Sequence, residues 1–160
     1  MKYIASMDQD HRIWVWLHHT LHVVYRAREK ELDQFGISLM QAGVLFAVQK
    51  APKPVTCAKI ARWLLREPNS MHTLLNRMVQ QGLLYKTNDT HDKRLVRIIL
   101  TERGRQLYKI IYARPLKDDV LNRVFSTLSS PEKQQLEDLL RRVLHATIDE
   151  LQMHRALRYF

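Results

Sequence analysis

A single cysteine in 160 residues excludes an intramolecular disulfide and any multi-cysteine zinc or iron–sulfur site, and points to a reducing compartment. Only 4 glycines and 5 prolines are present, which excludes linker-like and collagen-like material and leaves little room for a glycine-rich phosphate loop. No uninterrupted apolar run reaches the roughly 18 residues of a membrane span. The stretch from Met1 to Asp8 lacks the apolar segment of a signal peptide, so a soluble, cytoplasmic protein is expected. Nucleophile-elbow, paired-carboxylate and His-Glu-x-x-His signatures are also missing. Neither an enzyme nor a bound cofactor or metal is expected.

Acidic residues are scarce as well: 16 Asp plus Glu stand against 26 Lys plus Arg, a net charge of +10. Residues 53–105 hold 11 basic and 4 acidic residues, a local excess of +7. The rest of the chain has 15 basic and 12 acidic residues, and carries only +3. A basic surface confined to one segment is the footprint of a polyanion-binding face. With 46% hydrophobic and 8% aromatic residues the chain has ample material for one compact core.

Helical periodicity runs through residues 8–34, where Asp8 or Asp10 can cap and Ile13, Trp14, Leu17, Leu21, Val24, Tyr25, Arg28 and Leu32 recur on one stripe. Val15, Trp16 and Val23 lie off that stripe. A helix apolar on more than one side packs against two partners, here its own domain and a second subunit. Phe35-Gly36-Ile37 is a helix stop, and Ser38 can cap a second helix reaching Lys50 before Pro52 and Pro54. Thr56 is the N-cap expected for a short helix over residues 57–64.

A turn through Leu65, Arg66 and Glu67 then leads to Pro68, favoured at the first position of a helix. Met71, Leu74, Leu75 and Met78 make its apolar stripe, with Val79 beside it and Gly82 at its end. Asn69, Ser70, His72, Thr73, Asn76, Arg77 and Gln80 turn the other way. An ordinary solvated face is richer in Glu and Lys, whereas these side chains both donate to and accept from base edges. Two strand-forming runs, residues 83–87 and 95–100, flank a polar loop that ends in Lys93 and Arg94. Helix, short helix, turn, helix and hairpin in this order describe a winged helix-turn-helix, whose second helix enters the major groove while the hairpin follows the backbone or minor groove. The fold class expected is mainly α with a small β-hairpin wing.

Beyond the hairpin, Thr101 caps a long helix expected to run to about residue 128 with a bend near Pro115. Ser129 and Glu132 have capping-box spacing around Pro131. Leu136, Leu139, Leu140, Val143, Leu144, Thr147, Ile148 and Leu151 continue as a stripe. The two terminal helices have too little intervening core to bury both faces, so a helical dimerisation platform is expected rather than an intramolecular bundle.

Ile60-Ala61-Arg62-Trp63-Leu64, Pro68, Asn76-Arg77-Met78, Gly82-Leu83-Leu84, Asp92-Lys93-Arg94 and Leu100-Thr101-Glu102-Arg103-Gly104 together resemble the MarR family, the multiple antibiotic resistance regulators. The resemblance covers most of the chain. It implies a homodimeric repressor of an inverted-repeat operator, with residues 38–104 as the DNA-binding lobe and residues 8–34 and 105–160 as the dimerisation region. By the same resemblance Asn69, Ser70, His72, Thr73 and Asn76 face bases, Arg77 braces or meets phosphate, Arg94 is the wing arginine and Asp92 orients it. Arg62, Lys86 and Lys93 join Lys53 and Lys59 as phosphate contacts. Two positions depart from the family pattern, since a glycine and a serine are usual where this chain has Leu65 and Glu67. A wider turn and a weaker helix cap follow.

The family also binds small aromatic or phenolic effectors between platform and lobe, which makes Trp14, His18, His22 and Tyr25 candidate cleft residues. An aromatic stripe at helical spacing equally serves as core. His18 and His22 have the i,i+4 spacing of a metal pair, but no third and fourth ligands accompany them, and polar or interface histidines are favoured. Cys57 is either a buried structural thiol or an oxidant sensor. Oxidant-sensing relatives place their cysteine in the first helix, which favours the structural reading. A winged-helix regulator without a ligand, redox-responsive through Cys57 or architectural, is the alternative.

Overall fold

A computed structural model describes residues 6–90, 92–113 and 119–151. It opens with helix α1, Gln9–Leu32, capped by the Asp8 carboxylate, which accepts from the His11 amide at 3.1 Å. A single 3-10 turn, Asp33–Phe35, follows it. Helix α2, Leu39–Lys50, begins in the expected capping box: Gln41 N–H donates to Ser38 Oγ and Ser38 N–H to Gln41 Oε1. Helix α3, Cys57–Trp63, is capped by Thr56, and α4, Pro68–Gln80, starts with proline. Gly36 and Gly82 take the left-handed φ values, 67° and 70°, that stop the chain after α1 and α4.

Strands β1, Leu84–Asn88, and β2, Val96–Leu100, pair antiparallel with Leu84 opposite Leu100 and Asn88 opposite Val96. Ile98 N–H also donates to the Val55 carbonyl at 2.8 Å, which ties the hairpin to the segment entering α3. The lobe closes around α2, whose Ala42, Val44, Leu45, Ala47 and Val48 are all buried. Ile60 and Ala61 from α3, Met71, Leu75 and Met78 from α4, and Leu84, Ile98 and Leu100 from the hairpin pack on it. Each large apolar side chain buried there contributes about 1.5–3 kcal/mol before entropy is counted.

The long helix expected over residues 101–128 is not continuous. Helix α5, Glu102–Tyr108, passes into a π-helical turn, Lys109–Ala113, and a separate helix α6 covers Val120–Phe125. Pro115, where a bend was expected, lies outside the described residues. The apolar period runs on through Leu107, Ile110 and Ile111, but packing decides the backbone: Tyr108 and Ile111 are buried against the lobe, and the Tyr112 ring packs tilted against Phe46 with centroids 5.1 Å apart. Helix α7, Ser130–Glu150, starts in the expected Ser129/Glu132 capping box.

Two joints set where the lobe sits. Thr101 N–H donates to the Leu83 carbonyl and Thr101 Oγ1 to the Gly82 carbonyl, while Arg103 donates to Gln81, so the start of α5 is laced to the end of α4. A Cβ on Gly104 would overlap the Leu83 carbonyl oxygen, so only glycine lets α5 lie this close. At the other joint Arg28 of α1, 6% exposed, pairs with Glu31 and lies 3.9 Å from Asp119. Glu31 Oε1 accepts from the Val120 amide and Asp119 caps α6 through Asn122. This buried cluster fastens α1 to α6. Among the described residues no helix is long and apolar enough to cross a membrane.

Candidate nucleic-acid interface

Helix α4 divides by exposure as its sequence predicts. Met71, Leu75 and Met78 are buried, whereas Asn69, Ser70, His72, Thr73, Asn76, Arg77 and Gln80 are exposed. The turn before it reaches Leu65 at φ 51°, a left-handed conformation costing a non-glycine residue about 1–2 kcal/mol. Glu67 stands at the N-cap and makes no side-chain cap bond, so the weaker cap expected there is present. Ser70 stands to one side, lining with Met40, Arg66, Glu67, Met71 and Leu74 a depression of about 300 Å³. His72 and Asn76 lie one turn apart and are joined: Asn76 Nδ2 and His72 Nδ1 are 3.4 Å apart, and Lys86 of β1 donates to Asn76 Oδ1.

The hairpin loop is built on carboxylates. Asp92 Oδ1 accepts from the Arg94 amide at 3.0 Å and lies 3.4 Å from Arg94 Nε, while the Arg94 side chain stays 94% exposed. Asp92 thus aims Arg94 outward. Beneath them Asp89, 5% exposed, pairs with Arg97 and accepts from the Asp92 amide at 3.1 Å. Sequence reasoning missed Asp89 and Arg97. The available signal was a carboxylate three residues before Asp92 in a turn-forming stretch, the spacing at which Asp accepts from a nearby backbone amide.

Several basic residues are committed within the lobe. Lys53 donates to the Val48 carbonyl, Lys59 to Pro52 and Arg62 to Ala58, while Arg105 pairs with Glu102 and reaches Leu100. Lys93 is exposed beside Arg94. Cys57 is half-buried with Sγ 3.9 Å from the Pro68 carbonyl, and burial pushes its thiol up against a smaller downward pull from the Lys86 ammonium. Burial also raises the Tyr112 phenol, opposed by the nearby Arg28.

The candidate cleft residues stand on α1. Trp14 and His18 have ring centroids 6.0 Å apart, and His18 stacks on His22 at 6.4 Å. Trp14 is 61% and Tyr25 48% exposed, and Trp14 lines an open depression of about 340 Å³ with Asp10 and His11. Among the described residues no group of three or more His, Cys, Asp or Glu is placed to hold a metal ion.

A buried α2, a short α3, an α4 with an exposed polar face and an arginine-tipped hairpin define a winged helix-turn-helix protein. The MarR family model matches residues 35–95, from the end of the 3-10 turn to the hairpin loop. Over that stretch the chain is similar to the MarR family, and the described residues have its winged-helix fold. It is 22% identical over 134 residues to the transcriptional activatory protein BadR of Rhodopseudomonas palustris, covering 78% of this chain and 77% of that one. The crystal structure of CouR from Rhodococcus jostii bound to p-coumaroyl-CoA is 25% identical, covers 86% of this chain and 95% of that one, and superposes with a TM-score of 0.75. The complex of S. aureus MepR with DNA is 24% identical, with 83% and 97% covered and a TM-score of 0.72.

Proposed function

We propose that two copies of this chain form a cytoplasmic homodimeric repressor that reads an inverted-repeat operator and releases it on binding a small aromatic or phenolic effector. The observation that carries DNA reading is the pairing of the exposed polar face of α4 with an Arg94 aimed outward by Asp92. Residues 38–104 form the reading lobe, and residues 8–34 and 105–160 the dimerisation region. Asn69, Ser70, His72, Thr73 and Asn76 lie at base level, Arg77 braces, and Arg62, Lys86 and Lys93 meet phosphates. Trp14, His18, His22 and Tyr25 stand on the exposed face of α1, where a partner copy would complete an effector cleft. MepR is solved with DNA and CouR with an aromatic acyl thioester, which supports both halves of the reading. BadR, named as activatory, supports activation as the second reading of the regulatory sign.

Footprinting on the chain's own promoter, with and without phenolic ligands, tests this. Two protected major-groove half-sites about 34 Å apart are expected. With about 8 phosphates neutralised per dimer, log affinity falls against log salt with a slope near −7. Arg94→Ala costs about 1–3 kcal/mol of operator binding. A salt-independent affinity would overturn the mechanism.

A further inference from the structure

Asp89 follows β1 in the most basic third of the chain, and its side chain is 5% exposed. A carboxylate buried this far needs a cation and hydrogen-bond donors. Its two oxygens have separate tasks. Oδ2 pairs with Nε of Arg97 on β2, and Oδ1 accepts from the Asp92 amide at 3.1 Å. The backbone closes the same turn: Asp89 N–H donates to the Leu95 carbonyl at 2.8 Å, and Leu95 N–H to the Asp92 carbonyl at 2.9 Å. Asp92 in turn accepts from the Arg94 amide. A relay of hydrogen bonds thus runs from a buried carboxylate to the backbone of an arginine whose side chain stands in solvent.

We infer that Asp89 is a positioning residue for Arg94: Arg97 neutralises its charge, and Oδ1 holds the hairpin loop in order before DNA arrives. Ordering a loop at the moment of binding lowers affinity, and a loop already ordered in the free protein escapes that loss. Charge alone predicts the opposite sign, because removing an acid from a DNA-facing hairpin should tighten binding. The inference rests on the proposal that α4 and the hairpin read duplex DNA.

The test holds charge constant by changing Asp89 and Arg97 together. Asp89→Ala with Arg97→Ala, the alanine pair, and Asp89→Asn with Arg97→Ala, the asparagine pair, each delete one acid and one base and leave the net charge of +10 unchanged. They differ in whether an acceptor remains for the Asp92 amide. On a duplex that wild type selects from a randomised library, the alanine pair is expected to bind roughly fivefold more weakly than wild type, and the asparagine pair within about twofold. In an Arg94→Ala background the alanine pair should change affinity by less than about twofold, because Asp89 acts through Arg94. In the DNA-free wild type the Arg94 amide should show a ¹⁵N order parameter of about 0.85, falling below about 0.6 in the alanine pair. Equal binding by wild type and the alanine pair, equal losses in both pairs, or a loss that persists in full without Arg94 overturns the inference while the DNA reading stands. So does a wild-type Arg94 amide already below about 0.6, a result that depends on no variant folding. A wild-type chain that selects no duplex overturns both readings.

Discussion

Cys57 occupies a place where two tendencies oppose. It opens α3, and a helix N-terminus favours a thiolate, yet burial is the larger influence and raises the thiol above its ordinary value. A raised value means less thiolate at neutral pH, so iodoacetamide should alkylate folded Cys57 more slowly than a free thiol at pH 7 and 8. The rate should climb only as the pH passes above the ordinary thiol value, and peroxide should leave operator affinity unchanged. Rapid alkylation at pH 7 would restore the redox reading. Single residues also mark where the sequence was silent. Leu65 and Glu67 stood out as departures because turns and caps are local chemistry. Asp89 did not, because a charged residue at a strand end looks solvated until tertiary packing closes over it, and Arg28, though on the helical stripe, had no local signal naming Glu31 and Asp119 as its partners.

Elements bounded by local signals were legible. Ser38, Thr56, Thr101 and the Ser129/Glu132 pair each cap the helix expected after them, because an N-cap needs only its own backbone neighbours. The break after Tyr108 was not legible, since its cause is a contact with α2 more than sixty residues earlier in the chain. The Arg28 cluster is the counterpart of that break. Removing the guanidinium in Arg28→Ala leaves Glu31 and Asp119 facing each other in a poorly solvated joint, and should cost about 3–5 kcal/mol in chemical denaturation. A loss below about 1 kcal/mol would show that water already enters the cluster.

At the scale of the whole molecule, a single chain leaves too much apolar surface in water. Ile13, Trp14, Trp16 and Val23 on α1 and Leu139, Val143 and Leu151 near the other end are each 48–63% exposed. Scattered apolar residues are ordinary, but two helices with such faces support the proposed dimer. Placing carboxylates in it with Leu139→Glu plus Val143→Glu should halve the sedimenting mass and abolish operator binding, with α4 and the hairpin still folded by NMR. A wild-type chain that sediments as a monomer would overturn the dimer.

The missing side chain at Gly104 has a mechanical consequence. With α5 flush on Leu83 and stitched to Gln81 and Gly82, hairpin and α4 are welded to the segment that leads toward the terminal helices. Such a weld transmits rotation without slack, so in the proposed dimer a small change in the angle at which α5 leaves would reappear in full as a change in the distance between the two α4 helices. A methyl group there would act as a shim, and in the proposed dimer it would reset that distance.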